Sequence, residues 1–214
     1  MILIYTDQSV GIMAENLPKE ERKSQIMEAA MKVFTQKGYS SARMDDIVDA
    51  SGLSKGAIYH YYEGKKEVFL ALIDHWETQT FPDFYSKSDP SRTASDTLRD
   101  FANEVVKVFK KRSYVFHAEV EFWSLSNQDE EVRRRSQELY EKIINLFELL
   151  IKKGMRNGEF IDTDARIMAM YVLSVFQGIN WFCIFNDKKI KAENYINHSI
   201  EMIISGLTMG KENG

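Results

Sequence analysis

From Lys19 onward the apolar positions recur at helical rather than strand spacing. Ile26, Ala30, Val33 and Phe34 fall at i, i+4, i+7 and i+8, which puts them on one face of a helix. Pro18 stands where that helix can begin, and Glu20 and Glu21 suit its first turn. Gly38 supplies the stop. Met44 to Ala50 predicts two further turns, with Met44, Ile47 and Val48 facing inward. Ser51-Gly52-Leu53 then separates it from a helix running from Lys55 to about Tyr62, with Ser54 as its N-cap. Two short helices joined by a glycine-containing turn make a helix-turn-helix.

Gly64 closes this unit, and Lys65 opens a longer amphipathic helix through Phe69, Leu72, Ile73 and Trp76 to the neighbourhood of Pro82. Five more helices are predicted beyond it. The first, from about Arg92 to Lys111, carries the stripe Leu98, Phe101, Val105 and Phe109. Ser113 to Leu125 is aromatic-rich, and the stretch from Asp129 or Glu130 to Arg156 is long, with Gly154 and Gly158 marking its end. Asp162 caps an uncharged helix reaching Phe185, and after the turn Asn186-Asp187-Lys188-Lys189 a last helix presents Tyr195, Ile196, Ile200, Ile203 and Leu207. The expected fold is all-α, with nine helices, no strand and no internal repeat. Its organisation is a loose extension over 1–17, with Met13 as an alternative start, a helix-turn-helix unit over 18–64 and a helical body over 65–214.

Composition supports that picture and removes other classes. In 214 residues there are 44% apolar and 28% charged residues, but only three prolines, Pro18, Pro82 and Pro90, so long helices run uninterrupted. The single cysteine, Cys183, excludes an internal disulfide and a cysteine-based zinc cluster and fits a reducing cytoplasm. Met1 to Met13 lacks the basic residues of a secretory signal. Met168 to Phe185 is uncharged over 18 residues, yet Ser174, Gln177, Gly178 and Asn180 interrupt it. It therefore reads as a helix buried in protein, with no membrane as partner. The net charge of −4 does not advertise nucleic-acid binding, but residues 19–70 hold 9 Lys/Arg against 8 Asp/Glu, a local excess of +1.

The run Ile26-Met27-Glu28-Ala29-Ala30, Phe34, Gly38-Tyr39, Asp46-Ile47, Ala50-Ser51-Gly52-Leu53-Ser54-Lys55-Gly56-Ala57-Ile58-Tyr59-His60-Tyr61-Tyr62, Lys65 and Val68-Phe69 resembles the DNA-binding domain of the TetR family of bacterial transcription regulators over residues 22–70. The Gly-Leu-Ser-x-Gly-x-Ile-Tyr-x-Tyr-aromatic core carries the likeness. The resemblance implies that Lys55, Tyr59, Tyr61 and Lys65 contact phosphates or bases, and that Gly56, Ala57 and His60 face the groove. Arg43 is expected to reach a phosphate, and Ile47, Leu53, Ile58 and Tyr62 to be scaffold. Ala42 stands where the family often has Thr, so one cap or phosphate contact is expected to be lost. Val48 replaces a usual Ala where two helices cross. Independently, a major groove about 12 Å wide admits one helix, and its N-terminal residues reach base edges. Ser54, Lys55, Gly56 and Ala57 are small or basic at that end. Tyr59 to Tyr62 occupy four successive helical positions, so at least two of the rings point outward and call for a partner.

One recognition helix reads few base pairs, so a regulator of this kind needs a homodimer on a palindromic operator. Trp181, Phe182, Phe185, Ile200 and Ile203 are the expected seam contacts. The resemblance also implies a small-molecule inducer pocket among the middle helices, for which Phe101, Phe109, His117, Glu119, Glu121, Phe122, Trp123, Phe147 and Gln177 are the candidates. A buried Glu would favour a cationic ligand; a pocket without one would favour an acyl chain or a neutral aromatic. The expected function is a ligand-released repressor. Two rivals stand beside it. In one, the helix-turn-helix binds a protein instead of DNA. The other is an enzyme, for which the only hint is His117 and Glu121 at i, i+4; there is no third metal ligand, phosphate loop or nucleophile elbow, and no cofactor is implied.

Overall fold

The computed structural model describes residues 18–81, 91–185 and 189–208; the expected loose extension over 1–17 and the turn at 186–188 lie outside the described residues. Among the described residues all regular structure is helical. In chain order the helices are α1 (Lys19–Lys37), α2 (Met44–Ser51), α3 (Lys55–Tyr59), α4 (Lys65–Thr80), α5 (Ala94–Arg112), α6 (Tyr114–Ser126), α7 (Glu130–Arg156), α8 (Ala165–Gln177), α9 (Ile179–Phe185) and α10 (Ala192–Thr208). The helix expected over 162–185 is thus interrupted at Gly178, which splits it into α8 and α9. A Cβ on Gly178 would lie 2.1 Å from the Tyr195 hydroxyl, which donates to the Val175 carbonyl at 3.1 Å. The break makes room for that ring.

The helix ends follow local chemistry. Gly38 and Gly52 close α1 and α2 at φ of 72° and 68°, a region that costs other residues energy. Ser54 Oγ accepts from the Ala57 N–H at 3.2 Å and opens α3. Thr93 caps α5, and Asp129 caps α7 by accepting from Glu131 and Val132. Asp164, not Asp162, caps α8 through the Arg166 and Ile167 amides. Gly154 lies inside α7 rather than at its end. A Cβ there would meet the Phe160 ring at 2.2 Å, so the glycine serves packing.

The core runs from the first helix to the last without a gap. Phe34, Phe69 and Phe122 are fully buried, and Phe69 meets Phe34 and Phe122 edge-on with centroids 5.4 and 5.5 Å apart. α1 packs on α2, α4 and α6, while α7 packs on α4, α6 and α8, and α10 closes against α5 and α8. Ile200 and Ile203, expected at a dimer seam, are 1% and 3% exposed inside the protomer's own core. The uncharged helix is also corrected. Only 28% of its most apolar window is buried, although Ala165–Phe185 is long and apolar enough to cross a membrane by length and composition. Ile167, Met170, Tyr171, Trp181, Ile184 and Phe185 stand exposed along it.

Candidate functional site

Two places combine built geometry with chemistry. The first is the α2–α3 unit. Ile47, Ile58 and Tyr62 are buried and anchor it to α1, while Gln25 Nε2 donates to the Ser51 carbonyl at 2.9 Å. With those positions turned inward, Arg43, Ser54, Lys55, Gly56, Tyr59 and His60 are exposed, and Ala57 and Tyr61 are half-buried. The helix expected to reach Tyr62 ends at Tyr59, and across the four-ring run Tyr62 turns inward while Tyr59 and His60 face outward. Burial pushes the Tyr62 phenol up to about 12, so it stays a neutral core group. Space around Gly56 is open, which leaves backbone bare at the start of α3.

Charges on this face are held but accessible. Lys55 Nζ pairs with Asp45 at 2.7 Å and lies over the Tyr59 ring at 5.9 Å. The Asp45 hydrogen bond and charge raise the Lys55 pKa further. Arg43 N–H donates to Asp46 Oδ2 at 2.9 Å, so Asp46 caps α2 in place of the side chain that Ala42 and Arg43 do not offer. Lys65 differs from the rest of the expected set. Its ammonium donates to the carbonyls of Tyr39, Ser40 and Ala42 at 2.7, 3.3 and 2.9 Å and sits 4.5 Å over the Tyr39 ring. That makes it a clamp on the α1–α2 loop.

The second place is a partly open cavity between α4, α5, α6, α7 and α8. It is lined by the rings of Trp76, Phe81, Phe101, Phe116, Phe147 and Phe176, together with Glu77, Glu119 and Gln177. Its free volume is about 30 Å³, roughly one water's share. Of the nine residues expected at a pocket, Phe101, Glu119, Phe147 and Gln177 line it; Phe109, His117, Glu121, Phe122 and Trp123 do not. Glu121 instead accepts from the Tyr39 N–H at 3.0 Å, and Phe122 packs on Phe69. Phe109 lies tilted against Phe116 from outside the cavity, with centroids 6.1 Å apart. Trp123 is 37% exposed and donates to the Tyr140 hydroxyl at 2.6 Å, while His117 Nε2 is buried without a hydrogen bond.

Glu119 is 3% exposed and accepts from Tyr140 at 3.1 Å, Gln177 at 3.3 Å and Asn180 at 3.0 Å. Burial raises its pKa above the ordinary carboxylate value, and the three hydrogen bonds offset only part of the rise. Glu77, which the sequence reading missed, is 1% exposed on the same cavity and forms an ion pair with Lys142. Its signal was present: Glu77 stands at i+4 from Ile73, so a charge occupies the apolar stripe of α4.

The helical body holds α1 and the loop after it by direct contacts. Beyond Glu121–Tyr39, Arg112 pairs with Glu28 at 2.8 Å, the Tyr114 hydroxyl bonds Glu28, and Lys66 pairs with Asp129 at 2.7 Å. Trp76 Nε1 donates to the Val115 carbonyl at 2.9 Å, tying the cavity wall of α4 to α6.

A helix-turn-helix with its reading face bare, mounted on a helical body with an internal cavity, defines a ligand-binding transcription regulator. The chain belongs to the TetR family of bacterial regulators: the profile of bacterial regulatory proteins of the tetR family matches residues 26–72, and that of the BetI-type transcriptional repressor C-terminal region matches residues 94–203. Among its relatives is the uncharacterised HTH-type regulator YfiR of Bacillus subtilis, 24% identical over 80% of this chain and 84% of that one. Its fold is similar to that of the fatty acid degradation regulator FadR from Bacillus halodurans, at TM-score 0.74, 22% identity and coverage of 89% and 98%. The FadR of Bacillus subtilis in complex with stearoyl-CoA follows at TM-score 0.72 and 20% identity, covering 85% and 97%.

Proposed function

We propose that the chain is a cytoplasmic repressor that binds a palindromic operator as a homodimer and is released by an apolar or amphipathic small molecule. The division of labour is residues 18–64 for DNA and 65–214 for ligand and dimer. The observation that carries the reading is the bare face of α2–α3: Arg43, Lys55, Tyr59 and His60 outward, with Ile47, Ile58 and Tyr62 held in the core. Arg43 and Lys55 serve phosphates, whereas Gly56, Ala57, Tyr59 and His60 approach the groove and Ser54 fixes the helix start. Lys65 acts through the loop it clamps. No catalytic role is assigned to any residue. The match of residues 94–203 to a repressor family supports negative control.

The exposed stripe Ile167, Met170, Tyr171, Trp181, Ile184 and Phe185 supports the dimer, since a monomer rarely exposes so continuous an apolar face. Trp181 and Phe185, with ring centroids 4.4 Å apart, lead it, and Phe182 flanks them. In this scheme ligand entry parts α4 from α6, and the Glu121–Tyr39 and Phe122–Phe69 contacts carry the movement to the reading heads. A coupling of about 1–3 kcal/mol would change operator affinity about 5–150-fold.

Operator binding by Lys55→Ala and Arg43→Ala, measured by anisotropy across a salt series, tests the DNA assignment. Each should weaken binding on every sequence and lower the salt slope by about 0.9. Unchanged affinity and slope in both would favour a protein-binding head instead.

A further inference from the structure

We propose that Glu119 is the positioning residue of the dimer seam, holding both sides of the α8–α9 break and so fixing the angle at which α9 carries Trp181, Ile184 and Phe185; this rests on the chain pairing with a second copy through that face. The break falls at Gly178. Gln177 stands on one side of it and Asn180 on the other, and both amides turn to the same carboxylate. Gln177 Nε2 donates to Glu119 Oε1 at 3.3 Å, and Asn180 Nδ2 donates to Glu119 Oε2 at 3.0 Å. Glu119 is itself steadied from α7. The Tyr140 hydroxyl donates to Oε1 at 3.1 Å and accepts from the Trp123 indole at 2.6 Å. One side chain therefore gathers α6, α7, α8 and α9.

A break of this kind is where two helices can change angle, because a few terminal residues absorb the change. Ile167, Met170 and Tyr171 lie exposed on α8, and Trp181, Ile184 and Phe185 on α9, so the apolar face is made of two segments that meet at the joint. Its shape, and hence its fit to a second copy, depends on the joint's angle. Glu119 and Asn180 are each 3% exposed, so water does not replace a bond lost between them. The joint needs hydrogen bonds rather than charge. Asn180 Oδ1 has no donor. Turning that amide over brings Oδ1 to the place of Nδ2, where a glutamine amide at position 119 can donate to it. Glu119→Gln thus keeps an acceptor for Tyr140 and Gln177 and gains a donor for Asn180. Glu119→Leu keeps the bulk and loses every bond.

Sedimentation of the full-length protein on serial dilution gives the dimer dissociation constant, to be read beside the melting temperature. Glu119→Leu and Asn180→Leu should each weaken the dimer about tenfold or more. Glu119→Gln should dissociate as the parent does. Ile26→Val, a change in the α1 core, should lower the melting temperature without moving the dissociation constant, which separates seam geometry from stability. If Glu119→Leu does not fold, Asn180→Leu carries the test, since it leaves the bonds of Tyr140 and Gln177 to Glu119 in place. Parent-like dimers in both leucine variants would overturn the inference and leave the homodimer standing. So would a Glu119→Gln dimer as weak as that of Glu119→Leu, or an Ile26→Val dimer weakened as much as theirs. A parent protein that is monomeric at every concentration would overturn the homodimer reading itself, and this inference with it.

Discussion

A carboxylate on a surface costs almost nothing, whereas one inside a ring-lined cavity must be neutralised, paired or hydrogen-bonded. Glu119 takes the last route with Tyr140, Gln177 and Asn180, and its pKa is still raised by burial. The folded state therefore holds the Glu119 proton more tightly than the unfolded chain does. That contribution to stability is complete below the ordinary value of 4.5 and is lost as pH rises toward the folded pKa. Glu119→Gln has no such loss. Its melting temperature should gain on that of the parent protein as pH rises from below 4.5 toward neutrality, as thermal unfolding across pH would show. Parallel pH profiles for the two proteins would mean that Glu119 titrates normally in the folded state.

Elements of this fold were legible wherever a local rule acts alone. Gly38, Gly52 and Ser54 mark the ends of α1, α2 and α3 in both sequence and structure because φ and capping depend on a few neighbouring atoms. Gly154 is not legible from its neighbours in sequence, because it makes room for the Phe160 ring, which folds back onto α7 from outside the helix. The α10 stripe is legible as a stripe, but its direction is set by packing with distant helices. Ile200 and Ile203 face the protomer core, and the surplus apolar face belongs to α8 and α9, which are apolar almost all round. The cavity was half legible for a related reason. Glu119 and Gln177 stood out as polar groups on aromatic helices, while Glu77 passed as one more charge on a charged helix. Gly154→Ala tests the packing account. The added methyl should cost about 1–3 kcal/mol by overpacking against Phe160, measured by denaturant unfolding, rather than stabilise α7 as an alanine in an open helix would.

At the scale of the whole molecule, the helical body holds the head by specific contacts. Glu121 holds the Tyr39 amide and Lys65 holds the carbonyls of the same loop, so α6 and α4 grip one segment from two sides. Phe122 and Phe69 pack between them. The exposed α8–α9 face would fix the second copy, and with it the spacing of two reading heads. Sequence-specific DNA binding is the claim on which the rest depends. The direct test is anisotropy of the purified protein on the DNA upstream of its own gene, across a salt series, with scrambled DNA as control. Tight binding to the native fragment alone, falling steeply with salt, is the predicted result. Equal, weak binding to both fragments, carried over to sites selected from random DNA, would contradict it.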